Sequence, residues 1–388
     1  MLQTPDATVT PTSPPLPLTY ENLRALTKMA SGGPSTPKNK GTTSGPSTSK
    51  SAASKKTLGV PAEILGALKK YNICVDEIMF KSEAFNGQLA DFIEAKAMST
   101  RSSPTITVEK HQQITSLYRQ YGKSHESVFS EKLKDHIFTK PGFLETISAP
   151  LECVAQVPFR PGSVPIPDTS DDYDLVTLLK DCQVPRNPVP DHLYGLRRFG
   201  VFSKDEVNIL AIIEKDTRVA PELYFPFLTV EWKSEAHLGN AEIARTQAAR
   251  SGAAIVSDMR NLYAHIAPDG NPDSLYPDHL AARTACFSCI IAGLTIEVFV
   301  HWFRFNEDGR IEWHSTRILA ILWAEYENSF TKLHKVLHNI LSWGTVERKD
   351  QIKEVLKTLG EQRAAAAAAV AGHKRKASAS SPQGRATT

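Results

Sequence analysis

Three charged side chains at strand spacing are the first chemistry this chain offers. Glu231 and Lys233 close the run Phe225-Pro-Phe-Leu-Thr-Val-Glu-Trp-Lys233, whose first half is apolar and β-prone. Residues two apart on a strand project from one face, so both point into one cleft. Upstream, Pro190-Asp191 opens a second short strand, Asp191 to Leu196. If this strand pairs beside the other, Asp191 joins them. Two carboxylates are hard oxygen ligands suited to Mg²⁺ or Mn²⁺, and the backbone carbonyl of Trp232 can complete the shell. Such an ion would neutralise a phosphodiester and acidify a bound water. Lys233 would orient that water or steady the developing charge. A solvated Glu–Lys pair at a strand end would need none of this.

The elements that must position these residues follow from periodicity. Ser203-Lys-Asp-Glu206 has the capping-box form and precedes Val207, Leu210, Ala211 and Ile213, which share a helical face. Asn240 is placed to cap a long helix to about Ala264. Two β-prone runs follow, Thr284 to Gly293 and Thr295 to Phe305. Asn306-Glu-Asp-Gly309 reads as a hairpin turn into a strand from Arg310 to Trp323, and a helical region runs from about Glu325 to Leu359 with a break near Gly344. This order predicts a mixed α/β domain over 141–360. Residues 58–140 read as a helical extension without evident chemistry, carried by Ile64, Leu65, Leu68, Phe85, Leu89, Phe92, Ile93, Ile114, Leu117 and Tyr118. Residues 141–188, rich in Pro and Asp, read as mostly loop.

Charge is unevenly spread over the 388 residues, whose net charge is +3. Residues 1–57 hold seven Lys/Arg against two acids, and 361–388 hold five against one, so the body between them is near −6. Both ends have the composition of disordered tails, although the alanine run after Arg363 has helical propensity. A broadly basic body is thereby excluded. No apolar stretch is long enough for a membrane-spanning helix, and the start lacks the pattern of a secretory signal. Five cysteines do not suggest a disulfide framework and fit a reducing compartment. The expected location is intracellular, with His373-Lys-Arg-Lys376 as a weak signal for the nucleus.

The strand Phe225 to Ser234 resembles the signature strand of the PD-(D/E)XK nuclease superfamily. More closely, the region 140–345 resembles a fungal family of nuclease-like domains of unknown function. The shared features are Pro190-Asp191-His-Leu-Tyr-Gly195-Leu-Arg197, the capped helix from Ser203, the F-P-F-L-T-x-E-x-K strand, and a helix with Ala244-Arg-Thr-Gln247-Ala-Ala. The resemblance implies a restriction-endonuclease-like mixed sheet flanked by helices, and metal-dependent cleavage of nucleic acid, with DNA preferred to RNA as the partner. It implies that Asp191 and Glu231 hold Mg²⁺ or Mn²⁺, that Lys233 handles the water, and that Gln247 supports the site or contacts substrate. Many superfamily members add an early helical Glu. Glu131 is the first choice here, with Glu126 and Glu145 as competitors. Glu222 rivals Asp191 as the first carboxylate, but it lies in the loop entering the Glu231 strand. The Asp191–Glu231 gap is longer than in compact members, and the helix from Ser203 accounts for the excess as an insertion.

Other signals carry less. Cys286-Phe-Ser-Cys289 lacks the further ligands of a zinc site, and a three-residue offset on a strand puts the two thiols on opposite faces. His301 and His314 lie on neighbouring strands and read as ordinary sheet histidines. His334 and His338 read as surface or interface residues. Trp302, Phe303, Phe305, Trp313 and Trp323 read as core. A noncatalytic binding module on a nuclease-like fold is the alternative, since fold does not fix function.

Overall fold

The computed structural model describes residues 68–69, 71–80, 87–99, 107–138, 151–160, 163–165, 187–197, 199–215, 217–221, 223–234, 241–276, 279–322 and 327–379. The expected N-terminal tail, Asn240, Glu145, Glu222 and Trp323 lie outside them. The chain is mixed α/β, with a seven-stranded mixed sheet flanked by helices. The strands are β1 (Ile73–Met79), β2 (Leu151–Ala155), β3 (His192–Leu196), β4 (Tyr224–Lys233), β5 (Cys286–Ala292), β6 (Thr295–Phe305) and β7 (Ile311–Leu322). Their order is β1-β7-β6-β5-β4-β3-β2. The pairs β1–β7 and β4–β5 are parallel and the others antiparallel.

The helices are α1 (Gly87–Ile93), α2 (Val108–Tyr121), α3 (Glu126–Ile137), α4 (Lys204–Ile213), α5 (Ala241–Ala264), α6 (Leu280–Thr284), α7 (Glu327–Trp343) and α8 (Lys349–Ala379). A π-helical turn, Gly344–Arg348, separates the last two, at the break expected near Gly344. On one face of the sheet, α1, α2, α3 and α7 bury Ile93, Ile114, Phe129, Leu333 and Ile340 against Trp232, Phe287 and Val298. On the other, α5 lies along β4 and β5, and α4 and α8 extend the core around it. All seven residues of β5 are buried, as a central strand covered on both faces requires.

Three sequence expectations about the elements need correction. The stretch 58–140 is not a purely helical extension. It contributes β1, which pairs with β7 and belongs to the same compact unit as the rest of the sheet. Ile73–Met79 has no period-2 pattern of its own, so only the exposed edge of β7 makes it a strand. Likewise the loop expected over 141–188 contains β2, held as an edge strand by β3. In addition, α8 runs through the alanine stretch to Ala379, past the expected end at Leu359 and into the stretch read as a tail. The capping box formed by Ser203 and Glu206 is present at the start of α4. The Asn306 side chain accepts from the Asp308 and Arg310 amides and closes the β6–β7 turn.

The register separates the side signals. Cys286 faces the α5 core and Cys289 the opposite one. His301 sits across from Ser315, while His314 pairs with Trp302, so the two histidines point to opposite faces. His314 stacks on Trp302 and bonds Asp76 at 3.0 Å. His334 is buried, contrary to expectation. Of the aromatics, Phe303 and Trp313 are core, but Phe305 is exposed.

Close packing of α5 rests on a run of small residues, Ser251-Gly-Ala-Ala254, all buried. A Cβ on Gly252 would stand 2.1 Å from the His301 ring. That ring is fixed by a 2.8 Å bond from its Nε2 to Ser288 Oγ. Alanine normally stabilises a helix relative to glycine, but here overpacking reverses the sign. Gly252→Ala should lower stability by about 1–3 kcal/mol, read as a lower urea midpoint. Burial pushes the His301 pKa down to about 3, so the ring is neutral when folded. The unfolded ring protonates near its ordinary pKa of about 6.5. Stability from this group is therefore complete above that pH and falls toward pH 3, at about 1.4 kcal/mol per pH unit. The His301 ring signals in NMR should accordingly not titrate between pH 7 and 5.

Candidate metal and phosphodiester site

β3 and β4 run antiparallel with His192 opposite Val230, which brings Asp191, one residue before β3, beside Glu231. Asp191 is anchored there: its Oδ2 accepts the Trp232 backbone N–H at 2.7 Å, and its Oδ1 accepts from Gln156 Nε2. Trp232 turns its indole into the opposite core, edge-on to Phe129, and donates to His192 Nδ1 at 3.1 Å. Alternation along β4 therefore sends Glu231 and Lys233 to the α5 side. Both expected carboxylates and the lysine converge as the sequence implied.

Lys233 Nζ lies 3.0 Å from Glu126 Oε1, 2.6 Å from the Trp232 carbonyl oxygen and 3.6 Å from Asp191 Oδ2. Its ammonium thus occupies a point shared by three oxygens. Burial alone would lower its pKa, but Asp191, Glu231 and Glu126 together outweigh this and hold it above the ordinary lysine value. Glu231 is buried, and its Oε1 has no partner among the described residues. Burial first, and then the Asp191 charge, push its carboxyl well above the usual range.

Of the early glutamates among the described residues, Glu126, at the start of α3, reaches Lys233, and Glu131, the first choice from sequence, does not. Glu131 is exposed and, among the described residues, pairs with its neighbour Lys132. The two lie five residues apart, a spacing that puts them on different sides of α3. Sequence reasoning passed over Arg250. This α5 side chain is within electrostatic reach of Glu231, and burial lowers its pKa to about 10. Its Nε and Nη2 find no partner among the described residues, and neither does Gln247 Oε1. The 247/250 spacing of three, which puts both on one helix face, was the available signal.

When all are ionised, the cluster holds three carboxylates (Glu126, Asp191, Glu231) against two cations (Lys233, Arg250). One negative charge is in excess. A divalent cation together with one phosphodiester would restore neutrality. Among the described residues no three His, Cys, Asp or Glu side chains are gathered closely enough to cage an ion. The donor set nevertheless fits Mg²⁺ or Mn²⁺ chemistry. Magnesium sites commonly use one or two carboxylates and leave the other positions to water and substrate phosphate. The orphaned Glu231 oxygen and the cation-filled point at Lys233 mark where positive charge is wanted.

Because the folded pKa of Glu231 is raised, its contribution to stability is most favourable at low pH. It is lost as pH rises from the ordinary glutamate value toward the folded one. Glu231→Gln should therefore raise the urea midpoint of the metal-free protein at pH 7–8, with the gain shrinking toward pH 4. A lower midpoint for the variant at pH 8 would refute the charge count.

Neither the curated proteins nor the solved structures contain a match to this chain. Residues 104–356, from just before α2 to the third turn of α8, match a family described as a domain of unknown function, DUF7924. The match includes Glu126, Asp191, Glu231, Lys233, Gln247 and Arg250, and it covers well over half of the sequence: the chain belongs to the DUF7924 family.

Proposed function

We propose that the protein is a Mg²⁺- or Mn²⁺-dependent phosphodiesterase acting on nucleic acid, DNA in preference to RNA, with a site of the PD-(D/E)XK type. The observation that carries this reading is the buried Glu231 carboxyl with an unpartnered oxygen, set among Asp191, Glu126, Lys233 and Arg250. Such charge costs stability and has no packing role, so a ligand is the economical account of it. Asp191, Glu231 and the Trp232 carbonyl would hold the ion. Bound there, the ion would neutralise the phosphodiester and lower the pKa of a coordinated water.

The chain's own residues would do the rest. Lys233 stays protonated near neutrality, so it serves as a hydrogen-bond donor that orients the attacking water and steadies developing negative charge, not as a proton acceptor. Arg250 offers its Nε and Nη2, unpartnered among the described residues, to phosphoryl oxygens. Gln247, one turn earlier, offers an unpartnered carbonyl oxygen to a water proton. Glu126 holds the Lys233 ammonium in place.

A noncatalytic module on this fold is the second reading. It is favoured by the acidic body and by the lack of a three-ligand cluster among the described residues. Within the leading reading, entry to the nucleus would use His373–Lys376, which falls within α8. On the coarser point, no helix of the described residues is long and apolar enough to cross a membrane.

Mn²⁺ titrated calorimetrically into the full chain should bind the wild type and not Glu231→Gln. Affinity should rise with pH, because Glu231 must shed its proton. Asp191→Asn keeps an acceptor for the Trp232 amide, so it should fold normally and lose metal-dependent cleavage of DNA by about 1,000-fold or more. Full activity in Asp191→Asn overturns the assignment. A folded wild type that takes up no Mn²⁺, with or without DNA, selects the noncatalytic module.

A further inference from the structure

A second polar cavity of about 240 Å³ opens beside α5, beyond the residues of the candidate metal site. Arg160, Lys215 and Arg218 line it, together with Ser163, Asp258 and Asn261. The two arginines are held rigidly. Arg160 Nη1 donates to the Glu214 carbonyl at 2.9 Å and its Nη2 to Glu214 Oε1 at 3.3 Å. Arg218 Nη1 meets the same carboxylate oxygen, its Nε donates to the Ala220 carbonyl at 3.0 Å, and its guanidinium lies over the Tyr224 ring. Arg218 is only 6% exposed. One carboxylate thus sets two guanidinium groups side by side, with an exposed Lys215 next to them. Ser163 Oγ is buried without a partner among the described residues.

The charge balance favours an anion. Three cations line the cavity against Asp258, with Glu214 behind them. Asp258 is further balanced by the electrostatic influence of buried Arg348. The volume is below the roughly 300 Å³ of small drug-sized sites, so it suits a phosphate group more than a whole nucleotide. The Lys215 ammonium, beside two fixed guanidinium charges, a hydroxyl and an amide, suits phosphate oxygens.

The cavity also has a fixed separation from the metal site. The backbone of 156–160 connects them. Gln156 bonds Asp191 through both backbone and side chain, Phe159 N–H donates to the Pro188 carbonyl, and Arg160 N–H donates to the Val219 carbonyl. Four residues span at most about 14 Å. Along α5, Arg250 and Asp258 are eight residues apart, about 12 Å. One strand of a duplex advances about 3.4 Å per nucleotide, so the separation is some three to four nucleotides.

We propose that the Arg160–Lys215–Arg218 cavity is a phosphate-binding subsite that grips the nucleic-acid backbone a few nucleotides from the scissile bond. This rests on the reading of the metal site given above. It would supply the local positive charge that the acidic body otherwise lacks, and would fix the register of the strand without reading its bases.

Lys215 is exposed, so Lys215→Glu should fold normally. Inorganic phosphate binding, followed by phosphorus NMR line broadening on the full chain, should be present in the wild type and in Asp191→Asn and absent in Lys215→Glu. Affinity for a fluorescent DNA duplex, measured in EDTA over a salt series, should fall about 10-fold in Lys215→Glu, with the log–log salt slope smaller by about 1. Phosphate binding that survives in Lys215→Glu overturns the proposal. Phosphate binding lost with duplex affinity unchanged assigns the cavity to a free phosphate compound and overturns its role on the substrate. A wild type that binds duplex through this cavity, yet neither takes up Mn²⁺ nor cuts, keeps the cavity and overturns the hydrolytic reading.

Discussion

A carboxylate placed under a helix on an inner strand must be compensated within a few ångströms, and Glu231 is such a carboxylate. The chain meets this demand only in part, by bringing α5 close. Ala244 and Ala248 sit against Ile290, and Gly252 touches His301 with no side chain between them. This close approach brings Arg250 within electrostatic reach of Glu231. It also sets Arg245 on Glu297, which the register places in the same row across β4, β5 and β6. Glu297 is fully matched, with two 2.7 Å bonds from Arg245 and one of 2.9 Å from Arg317. Glu231 is not. Two buried glutamates on one row therefore have opposite status. One is a closed ion triad of the kind that gives geometric definition, and the other is left open.

That contrast bears on what the fold is for. The matched triad shows that this interface can satisfy a buried carboxylate when satisfaction is all that is required. The unmatched one stands at the end of β4, where β3 delivers Asp191, α3 delivers Glu126, and the Lys233 ammonium bridges them. β4, β3 and α3 meet at that point, with α5 packed over the Glu231 side of the sheet. Trp232, anchored between Phe129 and Phe138 on the far face, fixes the twist of the strand end from which Glu231 and Lys233 project. Charge imbalance kept in place by the surrounding packing is expected at a functional site.

The same logic extends along α5. Its first half serves the carboxylate cluster, and its second half walls the arginine cavity. One continuous helix therefore fixes their separation.

Much of this was legible in the residues. The apolar run ending in Glu-Trp-Lys marked β4 and the shared direction of Glu231 and Lys233, because strand alternation is a local property. The Ser203–Glu206 cap and the Asn306–Gly309 turn are likewise local, and each formed as read. Two edge strands were not legible. β1 and β2 have no strong pattern of their own, and they exist because β7 and β3 present unpaired edges to them. Glu126 and Glu131 are equivalent in sequence, and only the docking of α3 selects the one that reaches Lys233. What Arg250 faces, and the Arg160–Lys215–Arg218 cavity, were not legible for the same reason. Spacing along one helix tells which residues share a face but not what that face meets. The sequence by itself determined the elements that carry a strong local pattern and the identity of the central charges. The tertiary structure alone decided which distant charges join them, because electrostatic compensation depends on distance in space and not along the chain.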